Sequence, residues 1–323
     1  MTDGSSPVNG EPDRAREPAA VALWLVLGEG GGTLDTALGA VAAQTLPPSE
    51  IVVVATRDAS DDAVASVERW SGRLPIRIAG DGTREASAVT SSPWVAQLHA
   101  ADSWLPDHLA TLARTIDGPD AIVTPQELAW APSRGIALDG PRPRPVPPRE
   151  EQFAAILCAD YVSRHALFPR ALHDRVGGMR HELRECRDWD LWIRMLRAGA
   201  HVVSTDHATV LRRSVCRADS HDTGRRGCDV EVMRRAIAEA GDSKQRALAE
   251  AGLRRVVARD DLALAVEHAR NGRHASARRA AWDALRHGGR DDPATWLMAI
   301  APGTAVRRRD RFQWTNDADP EPS

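Results

Sequence analysis

A histidine and a carboxylate stand three residues apart where an apolar segment gives way to polar ones. The stretch is Leu98-His99-Ala100-Ala101-Asp102, inside the run WVAQLHAADSWLPDHL from Trp94 to Leu109. Imidazole and carboxylate are both acceptable ligands for Mn²⁺, whereas Mg²⁺ prefers oxygen alone. A lone histidine that fills a polar strand end fits the same spacing, so ligation and a structural role both stand at this point. Further along, Asp190 precedes Arg194 by four residues, the separation of a helix-surface ion pair.

Two other constellations fail on their own requirements. Gly28 and Gly30 follow an apolar run as the first glycines of a dinucleotide-binding turn would, but Thr33 takes the third position and the next apolar run, Ile51 to Val54, ends in Ala55 instead of an acid. A phosphate-binding loop also needs Gly-Lys-Ser/Thr, which is missing here. His207, Cys216, His221 and Cys228 match no standard zinc spacing, and the four cysteines Cys158, Cys186, Cys216 and Cys228 lack the close paired spacing of a zinc site; reduced thiols in a cytoplasmic protein are expected.

The elements that must position these residues are read from periodicity and punctuation. Val21 to Leu27 predicts a strand, Gly28 to Gly32 a loop, and Leu34 to Ala43 a helix that ends before Pro47-Pro48. Ile51 to Val54 predicts a buried parallel strand, Ala63 to Trp70 a helix, and Ile76 to Ile78 a short strand. Asp81 to Ser92 reads as a small, polar connection. Val95, Ala96 and Leu98 then form a central strand, His99 to Ser103 a turn, and Pro106 and Asp107 the first turn of a helix. Strand ends of this kind are where open α/β sheets bind ligands. Pro141 to Pro148 is a stiff connection, and beyond Asp229 the chain turns helical, with a hairpin at Asn271-Gly272 and a shorter helix from Asp292 to Ile300.

Composition narrows the function classes. A chain of 323 residues with net charge -3 lacks the basic excess that phosphate tracking along nucleic acid requires. No apolar run reaches the roughly 18 residues of a membrane span. Arg307 to Trp314 mixes arginines with Phe312 and Trp314, leaving weak peripheral membrane contact as the one membrane association to weigh. Met1 to Pro18 and residues 303–323 read as tails.

Taken in order, QTLPP, EIVVV, the strand before DSWLPDHL, then Leu167-Phe168-Pro169-Arg170, Val176-Gly177-Gly178-Met179 and Asp188-Trp189-Asp190-Leu191-Trp192-Ile193-Arg194 resemble the series found in glycosyltransferase family 2. The resemblance runs from about Val21 to Arg213. It implies an α/β, GT-A type fold, a Rossmann-like mixed sheet flanked by helices. Residues 19–228 would form that domain and 229–302 a C-terminal helical extension.

The resemblance also implies roles. The donor would be a nucleotide diphosphate sugar, the acceptor is unspecified, and Asp188 would be the general base of an inverting transfer. Where the family carries an Asp-x-Asp metal motif, this chain has His99 and Ala101, followed by Asp102. Either His99 and Asp102 hold Mn²⁺ or Mg²⁺, or the site works without metal and Arg212 and Arg213 stabilise the diphosphate. Asp58 and Arg84 stand where the family contacts the nucleotide, and Trp104 and Trp189 are candidates to stack on the acceptor. The competing class is a catalytically silent relative that keeps the fold as a binding or scaffold module.

Overall fold

The computed structural model describes residues 20–27, 34–55, 61–79, 83–100, 102–131, 136–142, 145–180, 182–183, 186–213, 223–288 and 293–305. Met1 to Pro18, residues 306–323, the loop at Gly28 to Gly32 and Asp58 lie outside the described residues, whereas residues 303–305 of the expected C-terminal tail are described and Ala305 is buried. The chain forms two compact units that interleave along the sequence. The first takes residues 1–143, 164–174 and 203–214, and the second takes 144–163, 175–202 and 215–323.

The first unit is built on a mixed sheet. Its elements are β1 (Val21–Leu27), α1 (Leu34–Ala42), β2 (Glu50–Ala55), α2 (Asp61–Ser71), β3 (Ile76–Ala79), α3 (Thr83–Val89), β4 (Trp94–His99), β5 (Ser103–Trp104), α4 (His108–Thr115), β6 (Ala121–Ala131) and β7 (Ile136–Arg142). The chain, having passed through α5 (Gln152–Ile156) of the second unit, returns as β8 (Leu167–Pro169) and α6 (Arg170–Arg175). It returns again as the later part of β9 (His201–Arg213), after α7 (Arg187–Arg197). Among the described residues the sheet has nine strands, ordered β3-β2-β1-β4-β8-β6-β9-β5, with β7 on β6.

β1 is buried along all seven residues, which is why its sequence is a continuous apolar run and not an alternating one. It pairs in parallel with β2 on one side and β4 on the other. Trp24 is fully buried; its indole N–H donates to Thr90 Oγ1 at 2.9 Å and its ring meets His173 edge-on at 4.9 Å. The start of β4 is fixed by a buried acid. Glu50 Oε1 accepts from the backbone N–H and hydroxyl groups of both Ser91 and Ser92 at 2.7 to 3.0 Å. Burial alone would raise this carboxyl, but the serine donors outweigh it and hold it below its usual range.

Two local expectations are corrected. The segment from Asp81 to Ser92 contains α3, whose inward positions Thr83, Ala86 and Ser87 are too small and polar to announce a helix by periodicity. α4 begins at His108, one residue beyond Asp107, which stands at its N-cap. Pro106 is tied down from outside, its carbonyl accepting from Thr45 N–H at 2.8 Å.

The second unit is helical. It holds α5, α7, α8 (Thr223–Ala238), α9 (Ser243–Arg270), α10 (His274–Arg286) and α11 (Pro293–Ile300). The α9–α10 turn falls at Asn271-Gly272 as expected, with Gly272 at φ 71°, a conformation that glycine adopts at no steric cost. Ala265, Ala269, Ala277, Ala281 and Met298 join α9, α10 and α11 in one small-residue core. No helix among the described residues is long and apolar enough to cross a membrane.

Candidate functional site

The order of the parallel strands marks a place for a ligand. From β1 the chain moves outward to β2 and β3, then crosses back to place β4 on the opposite side of β1. The carboxyl ends of β1 and β4 therefore flank a topological switch point, where open α/β sheets leave a crevice. The backbone closes there through Ala100 N–H to Val26 O at 3.2 Å and Asp102 N–H to His99 O at 3.0 Å.

β8 brings two further residues to this point. It pairs antiparallel with β4, Ala96 opposite Leu167 and Val95 opposite Phe168, so the residues just before Leu167 run past the carboxyl end of β4. Arg164 Nη2 donates to Asp102 Oδ2 at 2.6 Å, and His165 Nε2 lies 2.9 Å from the same oxygen. The side chains of Asp102 and His165 are fully buried, while that of Arg164 is 34% exposed. The Trp104 indole, a donor only, faces His165 Nδ1 at 3.3 Å, making that nitrogen an acceptor and leaving Nε2–H to donate to Asp102. Gln97 O lies 3.2 Å from the same Nδ1.

A second layer supports this cluster. His108 packs on Trp104 with ring centroids 4.2 Å apart and bonds Thr209 Oγ1 at 2.7 Å. Burial, aided by the neighbouring His165, pushes His108 well below its ordinary pKa. His99 sets its ring edge-on against His165 at 6.0 Å. Gln44, at the end of α1, spans to the other side, accepting from Leu109 N–H at 3.0 Å and donating to Leu105 O at 2.8 Å.

The same geometry bears on the expected metal ligands. A divalent cation needs the lone pairs of Asp102, but Oδ2 already accepts from Arg164 and His165, and the guanidinium puts a fixed positive charge beside it. Among the described residues no group of three or more His, Cys, Asp or Glu side chains could hold a metal ion. Asp102, one of the two expected ligands, is thus engaged by protein donors.

The remaining expected residues are placed as follows. Arg84 is exposed on α3. Arg212 lies on β9 beside β5, which pairs Ser103 with Leu211, and its Nη1 is 3.4 Å from Glu127 Oε2. The Arg213 side chain lies outside the described residues. Trp104 is 2% exposed and Trp189 4%, with the Trp189 indole N–H donating to Ile156 O at 2.7 Å. Both are buried among core residues. His207 pairs with Asp107 and Asp206.

In the second unit α7 separates its two aspartates. Asp190 is buried and saturated: Oδ1 accepts from Arg180 Nη1 at 2.8 Å, and Oδ2 from Arg194 Nε at 2.8 Å and Nη2 at 2.6 Å. The i,i+4 spacing holds, but the pair is internal, not on the surface. Asp188 is half-buried in the first turn of the helix, where the dipole favours negative charge.

No protein-family model matches the chain, and no curated protein matches it by sequence. Solved structures match it by fold. S. aureus TarS 1-349 in complex with UDP-GlcNAc aligns over 93% of this chain and 93% of its own at 14% identity, TM-score 0.55. The mannosyltransferase PcManGT from Pyrobaculum calidifontis, in complex with GDP-Man and Mn²⁺, aligns over 97% of this chain and 87% of its own at 17% identity, TM-score 0.61. The chain thus has the mixed α/β, GT-A type fold of these glycosyltransferases.

Proposed function

We propose that the protein is an inverting glycosyltransferase of the family 2 type, moving a sugar from a nucleotide diphosphate donor to an acceptor hydroxyl. The observation that carries the reading is the polar cluster of Asp102, Arg164 and His165 at the switch point of a sheet whose structural neighbours bind UDP-GlcNAc and GDP-Man. Inversion needs one base, because the acceptor oxygen attacks the anomeric carbon from the face opposite the leaving diphosphate. Asp188 is the candidate, and the local structure supports it over its neighbour. Asp190 has both oxygens committed to arginines, so they hold the helix and are not offered to a substrate.

The leaving diphosphate gathers negative charge as the glycosidic bond breaks, and fixed donors must stabilise it. Arg84 and Arg212 remain candidates for outer phosphate contacts from the first unit. The experiment is slow hydrolytic release of UDP or GDP from UDP-GlcNAc and GDP-Man by the full chain, with water standing in for the acceptor hydroxyl and taking the sugar. The account expects release by the wild type and at least a 100-fold loss in Asp188→Asn with donor binding retained. A catalytically silent relative would release neither nucleotide, and that result would overturn the proposal.

A further inference from the structure

We infer that Arg164 supplies the positive charge for the donor's diphosphate, so that nucleoside diphosphates bind this chain without a divalent metal. The inference rests on the nucleotide-sugar reading above and assigns the work that a metal would do at the same place.

Four observations converge on Arg164. It arrives at the carboxyl end of β4 through the antiparallel β8 pairing, at the switch point where a diphosphate would lie. Its Nη2 is anchored to a fully buried carboxylate at 2.6 Å, while the side chain as a whole keeps 34% exposure. Its Nε is buried without a hydrogen-bond partner among the described residues. Arg212, on β9 beside β5, has its Nη1 3.4 Å from Glu127 Oε2 on β6 instead.

The chemistry suits the position. A guanidinium carries five N–H donors in a rigid plane, and a single bond to Asp102 leaves most of them for phosphate oxygens. Asp102 then acts as a positioning residue, holding the fork in place much as a carboxylate would hold a cation. Charge balances too: a divalent ion between two carboxylates is formally neutral, and so is one guanidinium on one carboxylate. His165 steadies the same Asp102 oxygen from the buried side, with Trp104 fixing its tautomer. A metal added to this arrangement would have to displace a charged hydrogen bond before finding its first ligand.

The test is calorimetric titration of the full chain with UDP and GDP, once in EDTA and once in millimolar Mn²⁺. The inference expects one of the nucleotides to bind with dissociation constants that agree within about threefold in the two buffers. It also expects Arg164→Gln to weaken that binding by about tenfold or more, and by less for the corresponding monophosphate. Arg164→Lys, which keeps charge but loses the planar fork, should fall between, and thermal melts of each variant establish that the fold persists. Binding that requires Mn²⁺ would overturn this inference and leave the nucleotide-sugar reading standing, as would an unchanged affinity in a folded Arg164→Gln. Absence of binding in both buffers would overturn both.

Discussion

Replacing Asp102 with asparagine separates an ion-pair anchor from a metal ligand, because the two roles predict losses of different size. As an anchor, Asp102 accepts two charge-assisted bonds on one oxygen, from Arg164 at 2.6 Å and His165 at 2.9 Å. Bonds to a charged group contribute about 1.5–3 kcal/mol each. The asparagine oxygen keeps one acceptor, its NH₂ faces donors, and the half-buried Arg164 recovers part of its loss through water, so the net cost is about 2 kcal/mol. With a urea slope of about 2–3 kcal/mol/M, the unfolding midpoint falls by somewhat under about 1 M. Arg164→Gln removes the same pair, and combining the two substitutions should cost less than their sum, with a coupling of about 1 kcal/mol or more. A ligand of a missing cation would behave otherwise: Asp102→Asn would leave the unfolding free energy within about 0.5 kcal/mol of wild type and combine additively with Arg164→Gln. That result would refute the reasoning.

Three further expectations follow from other parts of the molecule. A Cβ at Gly252 would lie 2.1 Å from Leu157 O and 3.0 Å from Met233 Sδ, so Gly252→Ala should destabilise by about 2 kcal/mol or more although alanine is the better helix former; a rise in melting temperature would contradict that close packing. Glu50→Gln replaces a charged acceptor of four serine donors and should cost about 2 kcal/mol, read as a lowered urea midpoint at pH 7. Hydrogen bonding to Asp107, then Asp206, raises His207 above 6.5, so its contribution is complete below pH 6.5 and fades as pH climbs through the raised value. Because both partners are nearly half exposed, His207→Gln should cost only a few tenths of a kcal/mol at pH 5.5 and nothing at pH 8.5; a gap that widens with pH would reverse the sign.

What could be read from residue order depended on how strongly local pattern dictates structure. Val21 to Leu27 is a strand over the residues expected, because a strand buried on both faces must be apolar throughout. The α9–α10 turn was equally legible from Asn271-Gly272. α3 was not, since Thr83, Ala86 and Ser87 bury a face without large side chains. Asp190 and Arg194 show a finer limit: spacing gave the pair, but its burial depends on the packing of α7 and on Arg180, ten residues away. The Asp102 cluster was half legible. The aspartate stood out, whereas Arg164 and His165, more than 60 residues on, meet it only through the β4–β8 pairing. No local pattern announces an antiparallel partner at that distance. The nearest signal was a cationic pair just ahead of the Leu167-Phe168-Pro169 strand.

The most direct test of the switch point as the donor site is hydrogen–deuterium exchange of the full chain with saturating UDP or GDP. The account predicts slowed exchange concentrated in peptides covering residues 26–34, 98–104 and 162–167, with residues 243–300 unchanged. Protection confined to the C-terminal helices, or none anywhere at millimolar nucleotide, would contradict it.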